Sequence, residues 1–173
     1  MPAEELYPQL FFSGTYQPFL AHAHRHQLLP LHALCLRRSF LHIIIVANGW
    51  LTQPLTIQPG NLLIAADGGA RHCLELGLTP DYVIGDLDSL DEDILATLAS
   101  AGSKILRFPS RKDFTDLELA IQQAVELGAS EITLVAALGE RWDQTLANVG
   151  LAAAHTASRI KILDGAQEIS FLH

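Results

Sequence analysis

"PDYVIGDLDSLDEDILATLASAG", residues 80–102, holds the pattern from which the fold follows. Its first part, "DYVIGD" (81–86), is an apolar run of strand length, and its second, "SLDEDILATLASAG" (89–102), reads as a helix. Ser89 and Glu92 stand at the spacing of a capping box, and Gly102 sits where a C-terminal cap is wanted. Between the two lie Asp86 and Asp88, followed by Asp91, Glu92 and Asp93. Packed carboxylates at a strand end repel one another unless they face water or something positive. The last three fall in the first helical turn, where the macrodipole stabilises acids. Asp86 and Asp88 have no such explanation.

The strand-then-helix unit recurs on both sides. "LHIIIVA" (41–47), "NLLIAAD" (61–67), "KILRF" (104–108) and "EITLVAAL" (131–138) are further strand-length apolar runs. Their near-continuous hydrophobicity predicts strands covered on both faces. "GARHCLELG", "TDLELAIQQAVELG" and "RWDQTLANVGLAAAHTA" read as helices, the second opening with a Thr115–Glu118 capping box. Gly77 and Gly128 stand at further C-caps. The alternation predicts an α/β fold: a doubly wound, mostly parallel sheet with helices on both faces, over residues 41–160. "RIKILD" and "QEISFL" then follow without an intervening helix, so residues 161–173 read as the first strands of a truncated β domain. Residues 1–40 lack a sustained period and read as a poorly ordered or atypical extension, with "HAHRH" (His22, His24, His26) short of the partners a metal site needs.

At 173 residues, 49% hydrophobic and 17% charged, the chain suits one full-sized domain. A formal charge of −8 argues against a nucleic-acid footprint and requires that any phosphorylated ligand be met by local donors or a cation. Cys35 and Cys73 lack metal or redox spacing, no apolar run approaches the roughly 18 residues of a membrane span, and the N-terminus lacks a signal pattern. No membrane association and a cytoplasmic location are the expectations.

Each strand ends in polar residues: Asn48 and Gly49, then "DGGAR" from Asp67, "GDLDS" with Asp86 and Asp88, "PSRKDFTD" to Asp116, and "GERWDQ" to Gln144. The ligand crevice of an open parallel sheet lies outside those carboxyl ends. Acids from at least three strands therefore converge, an arrangement suited to Mg²⁺, which bridges carboxylates to substrate phosphates. Asp86 and Asp88, at i and i+2 of an extended segment, would point to one side. Asp67 also reads as a turn former, and Thr115 with Asp116 as a helix cap and acidic first turn. Arg111 and Lys112 just upstream, and Arg141 beside Asp143, tip the reading toward a metal-bridged phosphate chain. Neither a P-loop nor a dinucleotide fingerprint occurs.

"ADGGA" (66–70), "PDYVIGDLDS" (80–89), "RKDFTDLELAI" (111–121) and "LGERWDQTLANVGLA" (138–152), in that order, closely resemble the thiamine pyrophosphokinase family. The resemblance implies ATP and thiamine as substrates, Mg²⁺ as cofactor, and diphosphate transfer giving thiamine diphosphate and AMP. It places Asp67, Asp86, Asp88 and Asp116 on metal-associated positions, with Asp88 or Asp116 as proton acceptor. Asp113, Thr115, Arg141, Asp143 and Gln144 fall on nucleotide and phosphate motifs, with Arg111 and Lys112 adjoining and Asn48 lining the same crevice. It further implies a homodimer where the thiamine-binding β domain is complete. Glu140 departs from the family pattern, which carries a second glycine there. The alternatives are a nucleotide-binding relative without thiamine turnover and a related pterin diphosphokinase. A phosphatase of the haloacid dehalogenase type would need its Asp-x-Asp pair after the first strand, not the third.

Overall fold

The structure, a computed structural model, describes residues 40–110 and 113–172. The N-terminal extension with its histidines, Cys35, and the candidate phosphate ligands Arg111 and Lys112 lie outside the described residues. Eleven elements follow in chain order among those described: β1 (His42–Val46), β2 (Leu62–Ala66), α1 (Gly69–Glu75), β3 (Tyr82–Gly85), α2 (Glu92–Ser100), β4 (Lys104–Arg107), α3 (Asp116–Glu126), β5 (Glu131–Val135), α4 (Trp142–Ala154), β6 (Arg159–Asp164) and β7 (Gln167–Ser170). The expected strands and helices through residue 160 form within a few residues of their sequence bounds.

The strands make one sheet in the order β4-β3-β2-β1-β5-β6-β7. Every neighbouring pair is parallel except β6 with β7. From β1 the chain winds outward through β2, β3 and β4, then crosses back to place β5 on the other side of β1. The switch point is therefore the β1/β5 boundary, where a doubly wound sheet opens its crevice.

Alternation along each strand divides the apolar side chains between two layers. Ile43, Ile45, Ile64, Ile132, Leu134, Ile160 and Ile162 join Ala120, Ile121 and Ala124 of α3 and Ala152 of α4. Ile44, Val46, Leu63, Val83 and Val135 join Ala70 and Cys73 of α1 and Leu95 and Leu98 of α2. No helix links β1 to β2; Leu51, Leu55 and Ile57 of that crossover pack on the second layer in place of one. Both faces are covered, as the continuous hydrophobic runs predict. Burial raises the Cys73 thiol pKa to about 12, so it stays protonated and unreactive.

One expectation is modified. Ser89 does not cap α2: the helix begins after Asp91, with no side-chain cap. At the other end of the sheet β6 pairs with β5, and β7 returns as the antiparallel edge through Gly165 at φ +60, which suits a two-residue hairpin and accounts for the absence of a helix between them.

At the opposite, amino-terminal edge, His42 Nε2 lies 2.8 Å from Thr133 Oγ1, and its Nδ1 lies 3.2 Å from Asn61. Lys161 pairs with Glu131 at 2.9 Å, and Glu131 lies 4.0 Å from His42. Desolvation lowers the His42 pKa, Lys161 adding to it and Glu131 opposing; the Lys161 hydrogen bond lowers that of Glu131. Both folded-state pKa values lie below their unfolded ones. The stability each contributes is therefore complete above the unfolded value, about 6.5 and 4.5, and lost as pH falls through the folded one. Thermal midpoints of the wild type should fall on acidification below about pH 6.5 more steeply than those of His42→Gln. Parallel curves would refute the coupling.

Candidate active site at the carboxyl edge of the sheet

The residues that converge at the switch point come from five strand ends. Backbone pairing of β1 with β5 runs on past both strands: Ala47 N donates to Val135 O at 2.9 Å, Gly49 N to Ala136 O at 2.7 Å, and Trp50 N to Leu138 O at 2.8 Å. That approach needs a residue without a side chain at position 49. A Cβ there would press on Leu138 O and lie 2.5 Å from Ala136 O. Beyond this seam opens a crevice of about 540 Å³, lined by Asn48, Asp67, Thr115, Asp116, Arg141, Gln144 and Asn148 among others. Its size falls within the usual range for small-molecule sites.

Asp67, Asp86 and Asp116, all partly buried, bring carboxylate oxygens within 4.8 Å of one another. Asp67 follows β2 at φ 45, its N–H donating to Ile84 O at 2.8 Å, so the turn aims its carboxylate across β3. Asp86 follows β3 directly, and Asp116 opens α3. Gly85 makes room between them: a Cβ there would lie 3.1 Å from both Asp116 Oδ1 and Asp67 Cβ. Burial raises the Asp67 pKa, with smaller contributions from the Asp116 and Asp86 charges, against hydrogen bonds from Ser89 and the Gly68 backbone. Three hard oxygen donors gathered this closely suit a divalent cation such as Mg²⁺.

Asp88 is not part of this trio. Leu87 between the two acids adopts φ 59 with its side chain 2% exposed, so the segment turns rather than extends. Burying Leu87 in the second layer sends Asp88 to the surface, where its N–H approaches Asp86 Oδ1 at 3.4 Å. The expectation that Asp86 and Asp88 point to one side rested on extended backbone, which position 87 does not have.

Other expected residues divide. Asn48, Thr115, Arg141 and Gln144 line the crevice; Asp113 and Asp143 do not. Asp143 instead binds Arg141 through two hydrogen bonds, 3.2 Å to Nε and 2.5 Å to Nη2, which raises the arginine pKa and lowers its own. Both are largely exposed, so the pair orients the guanidinium more than it stabilises the fold. Thr115 accepts from Glu118 N at 3.2 Å, the N-capping half of the expected box.

Residues missed by the sequence reading include Ser89, whose Oγ donates to Asp67 Oδ1 at 3.0 Å, and Arg71, which donates to the Ser89 carbonyl. Asn148 donates to Ala137 O at 2.7 Å and Gly139 N to Thr145 Oγ1 at 3.1 Å, fixing the loop after β5. The reading as a helix cap hid Ser89, since both roles suit a serine after a strand. Outer partners of cation ligands typically matter 10–100-fold. Ser89→Ala is expected to weaken Mn²⁺ binding about tenfold in a paramagnetic-resonance titration, with unchanged thermal stability. Unchanged affinity would remove Ser89 from the site.

Fold and site together define a doubly wound α/β protein whose switch-point crevice gathers carboxylates fit for a cation. The family model "Thiamin pyrophosphokinase, catalytic domain" matches residues 55–163, and the chain belongs to that family. It is 32% identical over 101 residues to the thiamine pyrophosphokinase of Bacillus subtilis, covering 58% of this chain and 47% of that one. The crystal structure of thiamin pyrophosphokinase from Geobacillus thermodenitrificans superimposes with a TM-score of 0.62 at 32% identity, covering 71% of this chain and 59% of that one. A thiamin pyrophosphokinase family protein from Enterococcus faecalis gives a TM-score of 0.62 at 27% identity, covering 75% and 64%. The chain thus spans about half the length of the curated relatives it matches. Among the described residues, no helix is long and apolar enough to cross a membrane.

Proposed function

We propose that residues 41–160 form an ATP-binding catalytic unit that transfers diphosphate from ATP to the hydroxyl of thiamine, giving thiamine diphosphate and AMP. The observation that carries this reading is the Asp67–Asp86–Asp116 trio beside a crevice of about 540 Å³ at the switch point. Family membership supports it, and the names of the relatives supply the acceptor. Magnesium held by the trio would neutralise charge on the transferred group and its leaving oxygen.

The chain's own residues do the rest. The N-termini of α3 and α4 face the crevice through Thr115, Asp116, Arg141 and Gln144, offering backbone donors to phosphate oxygens. Arg141, oriented by Asp143, stands at the rim, and Asn48 closes the β1 side. Arg111 and Lys112, on the β4–α3 connection, add positive charge on the grounds of sequence alone. The acceptor hydroxyl oxygen attacks the β-phosphorus, the bond from that phosphorus to the α-phosphate oxygen breaks, and AMP leaves. The family resemblance names Asp88 or Asp116 as acceptor of the hydroxyl proton, and of the two Asp116 lines the crevice.

The test is incubation with Mg·ATP, with and without thiamine, separating AMP from thiamine diphosphate by chromatography. A pterin alcohol serves as control acceptor and Asp88→Ala as control protein. Equal amounts of both products, dependent on thiamine and diminished in the variant, support the reading. Mg-dependent ATP binding with no product overturns it, and turnover of the pterin alone reassigns the acceptor.

A further inference from the structure

Helix α1 follows β2, and β2 stands between β1 and β3 in the sheet. The buried side of the helix is small: Gly69, Ala70 and Cys73. It therefore lies close against the carboxyl end of β1, where a Cβ at Gly69 would press on Val46 O and one at Gly68 on the Asn48 side chain. Successive side chains of a helix diverge by about 100°, so two neighbours can reach to either side of β2.

Arg71 and His72 are such neighbours. Arg71 Nη2 donates to Ser89 O on the loop after β3, and His72 Nε2 lies 2.9 Å from Gly49 O on the loop after β1. A carbonyl only accepts, so His72 Nε2 carries the proton in that contact. Each loop holds part of the site. Ser89 Oγ donates to Asp67 Oδ1 at 3.0 Å, so the loop after β3 ends on the carboxylate trio. Asn48 and Trp50, on either side of Gly49, line the crevice. The peptide joining Gly49 to Trp50 is gripped from both sides: its N–H donates to Leu138 O at 2.8 Å, and its carbonyl accepts from His72. Neither Arg71 nor His72 lines the crevice or belongs to the trio.

We propose that Arg71 and His72 are positioning residues with separate roles. Arg71 sets the cation side of the site through Ser89 and Asp67, and His72 sets the nucleotide side through the Gly49–Trp50 peptide. This rests on the reading of the crevice as the nucleotide site. One short helix thereby fixes two loops that the sheet places on either side of β2.

The test uses the full chain carrying Trp142→Phe, because Trp142 lines the same small recess as Trp50 and its removal leaves Trp50 as the one indole. Mn²⁺ affinity is read by paramagnetic resonance, the β1 loop by acrylamide quenching of Trp50, and the nucleotide by the KM for ATP. Arg71→Ala is expected to weaken Mn²⁺ binding about threefold, acting one contact further from the cation than Ser89, with Trp50 quenching unchanged. His72→Ala is expected to raise Trp50 quenching about twofold and the ATP KM about fivefold, the effect of one hydrogen bond, with Mn²⁺ affinity unchanged. Arg71→Lys and His72→Gln keep a donor at each position and should return to within about twofold of wild type.

Equal changes by both alanine variants in Mn²⁺ affinity and quenching overturn the proposal, as does a lower thermal midpoint with both readouts at wild-type values. Failure of the lysine and glutamine variants to recover overturns it too. The expected split in Mn²⁺ affinity and quenching, in a chain that makes no product from Mg·ATP and thiamine, sinks the functional reading while the positioning roles stand. Product formed by both alanine variants at wild-type Mn²⁺ affinity, quenching and KM sinks those roles while that reading stands.

Discussion

Asp116→Asn is expected to lower AMP and thiamine diphosphate formation about a thousandfold, with the fold intact. Asparagine keeps the shape of the side chain and its place in the first turn of α3, but it removes one of three negative charges within 4.8 Å. A divalent cation held by three carboxylates loses a charged ligand, and with it the neutralisation on which phosphoryl chemistry depends. Mn²⁺ affinity should fall by at least about tenfold in the same protein. Asp113→Asn is the matched control: three residues upstream, exposed and outside the crevice, it should stay within about twofold of wild type. If both variants fall equally, net charge matters rather than the trio. If Asp116→Asn retains turnover, the trio is not where the cation acts.

The second large effect concerns stability. Gly49→Ala is expected to cost about 3 kcal/mol and lower the thermal midpoint by about 10 °C. The added methyl would press on two backbone carbonyls, which cannot move aside as a flexible side chain would. The loops after β1 and β5 must separate, and the Gly49–Ala136 and Trp50–Leu138 hydrogen bonds go with them. Asn48 and Trp50 shift too, so ligand affinity should fall along with stability. Gly150→Ala offers the contrast: within α4 nothing lies within 4 Å of the new Cβ, and the change should stabilise by about 0.5–1 kcal/mol. Urea denaturation of the two variants separates the cases. Equal stabilities would mean that the seam is looser than its hydrogen bonds indicate.

Much of this molecule was legible before folding, because its signals are local. Apolar runs such as "IIIV" bury both faces wherever they are placed, and Gly77, Gly102 and Gly128 end three helices as expected, each at positive φ. The acids at the ends of β2 and β3 and the start of α3 had to meet along one edge once the strands ran parallel. That deduction needed the alternation of elements and no distance.

Where several residues compete for one role, local pattern is silent. "DLDS" offered two aspartates and a serine. The tertiary structure chose Asp86 for the trio, sent Asp88 to solvent and turned Ser89 toward Asp67, because Leu87 had to be buried beneath them. The strand order that sets β1 against β5 likewise arises from packing of both layers at once, and periodicity along the chain does not encode it. Trp50 and Trp142, almost a hundred residues apart, share a recess for that reason. The amino-acid sequence determined which elements form and which edge carries the chemistry, since both follow from short-range hydrophobic and hydrogen-bonding preferences. Only the tertiary structure decided which side chains touch, since contact between distant residues depends on how every layer packs together.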